Sequence, residues 1–176
     1  LKSSNTSVQK IIKNWIEINN KYDSKTWNFK ITSKRIISWL CNSRLSYDNA
    51  GEQYKIDFNH IVRKQALHLL NQINKIKCYH EQLVGISAII LVGLAYNDEK
   101  NLIFKGLDLL KKHIKYNLDS FGFPKSRNIN SAIFFLKYLI LIREWFKESQ
   151  KEIPDFIDEN IFYLGQSYAF FWKNIN

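Results

Sequence analysis

Methionine is missing from all 176 residues, the first position included. The chain is therefore expected to begin after a removed segment or to be an excised piece. The lack of a secretory signal pattern at its start then says nothing about compartment. Glycine occurs 6 times and proline 2 times. With so few breakers, and no long alternation of apolar and polar residues, the chain reads as helix after helix. Two cysteines, Cys41 and Cys78, are too few for a disulfide framework. Each falls at an apolar helical position, so free buried thiols are expected. Neither has ligand spacing to another Cys or to a His, and Cys78 with His80 alone makes a poor metal site. No uncharged apolar run approaches the roughly 18 residues of a membrane span. The longest apolar stretch, 83–96, reads as a buried helix. Nucleophile elbow, P-loop, dinucleotide fingerprint, zinc signature and a carboxylate pair for glycoside hydrolysis are all absent, so no cofactor and no metal are implied.

Hydrophobic residues make up 45% and charged residues 24% of the chain, enough for one globular domain over 1–176. The formal charge of +10 is uneven. Residues 1–80 hold 14 Lys and Arg against 5 Asp and Glu, whereas residues 81–176 hold 12 against 11. A basic half invites an acidic partner such as nucleic acid, an anionic lipid face or an anionic polysaccharide; scattered lysines also make an ordinary wet surface.

Helical periodicity predicts helices over 7–19, 32–47, 56–76, 81–96, 99–117, 129–149 and 155–173. Thr32 and Ser33 are candidate caps of the second, Asn97-Asp98 of the fifth, and Pro154 starts the seventh. Short connections imply antiparallel hairpins. The helices over 81–96 and 129–149 are apolar nearly all round, which implies burial on both sides, as in the inner layer of a two-layer array. No fixed-period repeat supports a TPR or HEAT solenoid.

Three constellations can carry chemistry. Arg35 and Trp39 lie four apart on one helix. Together they can hold a sugar ring by stacking and its carboxylate by charge, or the Arg can simply lie over a half-buried Trp. Tyr79-His80 precedes the long apolar helix and offers an acid or a base. His60, His68 and His113 have no carboxylate or His partner at ligand spacing and read as structural or solvated. The loop Ser120-Phe121-Gly122-Phe123-Pro124-Lys125-Ser126-Arg127-Asn128 brings rings and cations to the start of a helix, where backbone N–H groups favour anions. It reads equally as a turn whose Phe rings plug the core and whose cations are wet.

In order and spacing these pieces resemble the helical domain of the heparinase II/III-like polysaccharide lyase family, from about Trp27 to Trp172. Ser33-Lys34-Arg35-Ile36-Ile37-Ser38-Trp39-Leu40 is similar to the family's Ala-Arg-Arg-Leu-Ile-Asn-Trp-Leu. Residues 88–94, followed by Gly106-Leu107-Asp108-Leu109-Leu110, resemble its Ala-Leu-x-x-Ala-Gly-Leu and Gly-Leu-x-Leu-Leu-Glu helices. Gly122-Phe123-Pro124-Lys125-Ser126-Arg127-Asn128 sits where the family has Asp-Gly-Gly-His-x-Ser-Arg-Ser-Pro. Residues 157–172 resemble the helix that leads to a second domain.

The resemblance implies an all-α piece of an incomplete α/α toroid, built of antiparallel helical hairpins, with a C-terminal β-sandwich domain as its own partner. It implies β-elimination on an anionic, uronate-containing polysaccharide. A positive or polar group neutralises the uronate carboxylate, a base takes the C5 proton, and a Tyr or His protonates the leaving oxygen. On this reading Tyr79 and His80 are the catalytic candidates. Arg127, Ser126, Lys125, Arg35 and Trp39 are the substrate-binding candidates. Pro124 stands at the motif His and Tyr79 at an Asn; with Pro124 there and the β-sandwich domain not among residues 1–176, these residues alone are expected to show no turnover. The rival from another class is a non-catalytic helical module that docks a protein partner. Nucleic-acid binding ranks last, for want of a motif and of Arg beside its Lys.

Overall fold

The computed structural model describes residues 2–175, with side chains over 6–170. Eight α-helices account for the described chain: α1 (Lys2–Asn19), α2 (Phe29–Cys41), α3 (Ser43–Ser46), α4 (Glu52–Gln72), α5 (Tyr79–Ala95), α6 (Lys100–Asn117), α7 (Ile129–Glu148) and α8 (Asp155–Ile175). A 3₁₀ turn, Ile73–Lys75, closes α4. Among the described residues there is no strand, and the all-α expectation holds. None of the helices is long and apolar enough to cross a membrane. Phe171 and Trp172, part of the family-like C-terminal pattern, have side chains outside the described ones.

The fold is arranged around α5. Every residue from Leu83 to Leu94 is buried, and α2, α4, α6 and α7 all pack against this helix. Such a helix can only be a centre, because no polar face is left for water. Contact with α6 is close: a Cβ on Gly93 would sit 2.7 Å from the Ile103 backbone nitrogen, so only glycine fits there. The consecutive pairs α4/α5, α5/α6 and α7/α8 pack across short connections, as hairpins do.

α7 departs from the expected burial on both sides. Its buried face is Ser131, Ala132, Phe135, Tyr138, Leu139, Ile142, Trp145 and Phe146, while Ile133 and Ile140 remain 44% and 41% exposed. With α5 and α8 covering one side, the remaining apolar residues of α7 line the surface.

Caps also depart from expectation. Asn28, not Thr32 or Ser33, caps α2, accepting from Lys30 N at 3.1 Å. Thr32 and Ser33 lie buried within the helix, where the Ser33 hydroxyl donates to Phe29 O at 2.7 Å. The first residue of α6 follows Glu99, whose side chain makes no cap; Asp98 is held by Arg63 at 2.8 Å instead. Pro154 does stand at the entry of α8, accepting from Ile157 N at 2.9 Å. Both cysteines are free, as expected, but exposed rather than buried. Cys41 is the last residue of α2 and Cys78 the residue before α5, so both fall at helix ends instead of on a packed face.

Candidate functional site

The loop between α6 and α7 is organised by Asp119, a residue that pattern reading passed over. Its carboxylate accepts from the backbone N–H of Phe121 at 3.0 Å and of Phe123 at 2.9 Å, and from Arg127 Nη1 at 2.6 Å. Partial burial pushes this carboxyl up, but Phe123 N–H, Arg127 and Phe121 N–H outweigh it and hold it below the usual carboxylate range. The local signal is the Asp-Ser-Phe-Gly run, an Asx-type turn with its glycine at the tip. Gly122 takes φ 73°, and a Cβ there would come within 2.5 Å of Tyr163 Cβ. Arg127 also lies in the left-handed region, at φ 56°. That conformation costs a non-glycine residue about 1–2 kcal/mol, and the Asp119 pair helps to hold it. Asn128 then caps α7, accepting from Asn130 N at 2.9 Å.

Lys125 turns back rather than outward. Its Nζ donates to Lys115 O at 2.9 Å and Tyr116 O at 3.0 Å, the free carbonyls at the end of α6. This is a favourable place for a cation, at the negative end of the helix dipole. Two of the three ammonium donors are spent this way, and the third points away from those carbonyls.

Between this loop and the start of α5 lies a depression of about 410 Å³, lined by Tyr79, Tyr116, Asn117, Lys125, Ser126 and Phe135. Tyr79 O–H and Ser131 Oγ are 2.7 Å apart, which fixes the phenol at the N-terminal turn of α7. A second depression of about 510 Å³ adjoins it, sharing Tyr79, Tyr116 and Asn117 and adding Lys77, Lys112 and His113. Tyr116 is 81% exposed although it stands at the junction of the two.

His113 is buried and stacks on Phe135, ring centroids 5.5 Å apart. Burial pushes its pKa down to about 4, partly offset by the Tyr79 backbone, and nearby His80 lowers it further. Its Nε2 is buried without a well-formed hydrogen bond, and its Nδ1 has only a 3.5 Å contact with Asn117. His80 packs against Tyr79 with the rings tilted by 38° and centroids 4.1 Å apart, and meets Phe134 edge-on at 4.5 Å. Burial lowers its pKa as well.

The candidate residues thus divide into three places. Tyr79, Lys125 and Ser126 share one cleft, and His80 is not among its lining residues but touches the Tyr79 ring. Arg127 faces a different depression, about 760 Å³, walled by Phe121, Phe123, Tyr163 and Phe170. Arg35 and Trp39 lie among α1, α2 and α4. There Arg35 donates to Gln65 Oε1 at 2.9 Å and Thr26 O at 2.6 Å, and stacks on Trp15 at 3.9 Å rather than on Trp39. Burial brings its pKa down to about 10. Trp39 packs between Trp15 and Phe58, at 5.4 and 5.5 Å. Arg127 therefore does not look across one opening at Arg35, Trp39 or His80.

The cleft at Tyr79 offers a phenol that can give or take a proton, a hydroxyl at Ser126, a cation at Lys125 and an exposed ring at Tyr116. Among the described residues no group of His, Cys, Asp and Glu could hold a metal ion. Compared with family models, curated proteins and solved structures, the chain has no match.

Proposed function

We propose that this chain is a helical domain of the heparinase II/III-like kind, whose hairpins form part of an incomplete α/α toroid and present the Tyr79 cleft to a uronate-containing polysaccharide. The observation that carries the reading is that Tyr79, from the start of α5, meets Lys125 and Ser126, from the loop before α7, in one depression. These are residues that the resemblance assigns to one substrate site. In β-elimination the C5 proton leaves to a base, the C4–O bond breaks, a C4–C5 double bond forms and the leaving oxygen takes a proton. Tyr79 is the proposed proton donor to that oxygen, and Lys125 the cation that offsets the carboxylate charge. His80 positions the Tyr79 ring by packing against it at a tilt of 38°.

A second reading, docking of a protein partner, draws on the groove at Phe121, Tyr163 and Phe170, whose rings are 77%, 45% and 66% exposed. One binding assay separates the readings, with a uronate oligosaccharide, a neutral glycan of equal length and a duplex DNA. The polysaccharide reading expects the uronate alone to bind, and Tyr79→Phe or Ser126→Ala to weaken it. Equal binding of DNA, or no binding of the uronate, overturns it.

A further inference from the structure

Away from the Tyr79 cleft, we infer that the surface between residues 20–27 and the C-terminal end of α4 takes an unpaired base of single-stranded nucleic acid. The base lies on the Tyr22 ring, the amides of Asn71 and Gln72 meet its edge, and Lys21, Lys25 and Lys64 meet the flanking phosphates. The site is a depression of about 430 Å³ lined by Tyr22, Lys64, Leu67, His68, Asn71 and Gln72. Tyr22 is 63% exposed, yet its ring is held. It leans on His68 at 5.3 Å with a tilt of 42° and meets Trp27 edge-on at 6.4 Å. Trp27 is itself pinned, donating from Nε1 to Asn19 O at 3.0 Å, and its carbonyl lies 3.1 Å from His68 Nε2. A fixed, uncovered ring is a platform on which a base stacks at little entropic cost.

The polar groups here are unspent. The side-chain amides of Asn71 and Gln72 have no hydrogen-bond partner among the described residues. An amide offers a donor and an acceptor side by side, the complement of adenine N7 and N6. Lys64 Nζ donates to Asn20 O at 2.6 Å and keeps two donors. Lys21, Lys25 and Lys64 are exposed and in no ion pair among the described residues. They belong to the basic half of the chain, 14 Lys and Arg against 5 Asp and Glu over 1–80, none of whose cations lines the Tyr79 cleft. Asp23, beside Tyr22, is occupied locally by Lys25 N and Thr26 N, both at 3.0 Å. Glu17 and Asp57, in the adjoining depression, are the carboxylates that oppose a phosphate. No carboxylate lines the Tyr22 depression itself, which suits an anion and leaves sugar hydroxyls without their strongest acceptor. Duplex DNA does not fit, because its bases are stacked on one another and closed to Tyr22.

The test is fluorescence anisotropy of the chain with a labelled oligodeoxyadenylate of about twelve nucleotides, an abasic strand of the same length, and AMP as competitor. The adenylate strand is expected to bind about tenfold tighter than the abasic strand, since only it has bases to stack. AMP should compete far more weakly than unlabelled strand, because it brings a single phosphate group. Tyr22→Ala should remove most of the tenfold difference and Tyr22→Trp should keep it. Lys21→Ala/Lys25→Ala should weaken both strands and flatten the salt dependence by about 1.4 in slope, the share of two phosphate contacts on a single strand. Phe104→Ala removes a ring that is 71% exposed on α6 and should change nothing. Circular dichroism confirms that each variant keeps its helices. An abasic strand that binds as tightly as the adenylate, a folded Tyr22→Ala variant that still prefers the adenylate tenfold, or AMP competing as well as the strand overturns the inference. So does a strand that does not bind at all. Each of these outcomes leaves the Tyr79 cleft standing.

Discussion

Asp119 and His113 do more for the site than the loop cations that stand out in the sequence. Asp119 gathers two backbone N–H groups and the Arg127 guanidinium on one carboxylate. Asp119→Ala strands these donors and frees the loop, and is expected to cost about 1–2 kcal/mol in urea denaturation, the scale of a few hydrogen bonds to a charged group. Arg127→Ala should cost less, because the side chain is 68% exposed. A loss for Arg127→Ala that exceeds the loss for Asp119→Ala would assign the organising role to the wrong partner. His113 makes stability depend on pH. Its pKa falls from 6.5 to about 4 on folding, so the unfolded chain binds more protons between those values. The contribution of the neutral ring is complete above pH 6.5 and lost as pH falls toward 4, amounting to about 3 kcal/mol in all. Urea midpoints at pH 7 and pH 4.5 should differ more for the unaltered chain than for His113→Phe; an identical pH dependence would remove His113 from the account.

At the scale of elements, α5 is the clearest case of sequence dictating place. An apolar run with no polar face has nowhere to go but the middle, and α5 is in contact with four other helices. The same reasoning failed for α7, because composition does not say which neighbours a helix will have; with α5 and α8 on one side, Ile133 and Ile140 stay in contact with water. Caps were misplaced where a better-sited residue lay upstream, as Asn28 does for α2, or where tertiary charge took the candidate away, as Arg63 takes Asp98. The hairpin α5/α6 depends on Gly93. Gly93→Ala places a methyl 2.7 Å from the Ile103 backbone nitrogen, which cannot rotate aside. Overpacking of this kind costs about 1–3 kcal/mol, and a thermal melt should show it. An unchanged melting temperature would mean that α5 and α6 can separate freely.

For the whole molecule, the meeting of Tyr79 with Ser126 and Lys125 is the point that no local pattern reveals. It depends on α6 running back along α5, so that the end of α6 and the Asp119 turn that follows it stand beside the α5 N-terminus. The loop and the Tyr-His pair were both legible as sites of interest, since each breaks the helical pattern with residues that carry chemistry. That Arg127 and Arg35 belong to other places was not legible. Their partners, Asp119, Thr26, Gln65 and Trp15, come together only through tertiary packing.

The central claim is that one cleft, at Tyr79, takes an acidic sugar chain. An amide-resolved NMR titration of the chain with a uronate hexamer tests it most directly. The account predicts shift changes concentrated at Tyr79, Tyr116, Asn117, Lys125 and Ser126, with the amides around Arg35 and Trp39 still. Changes confined to Phe121, Tyr163 and Phe170, or no changes at all, would contradict it.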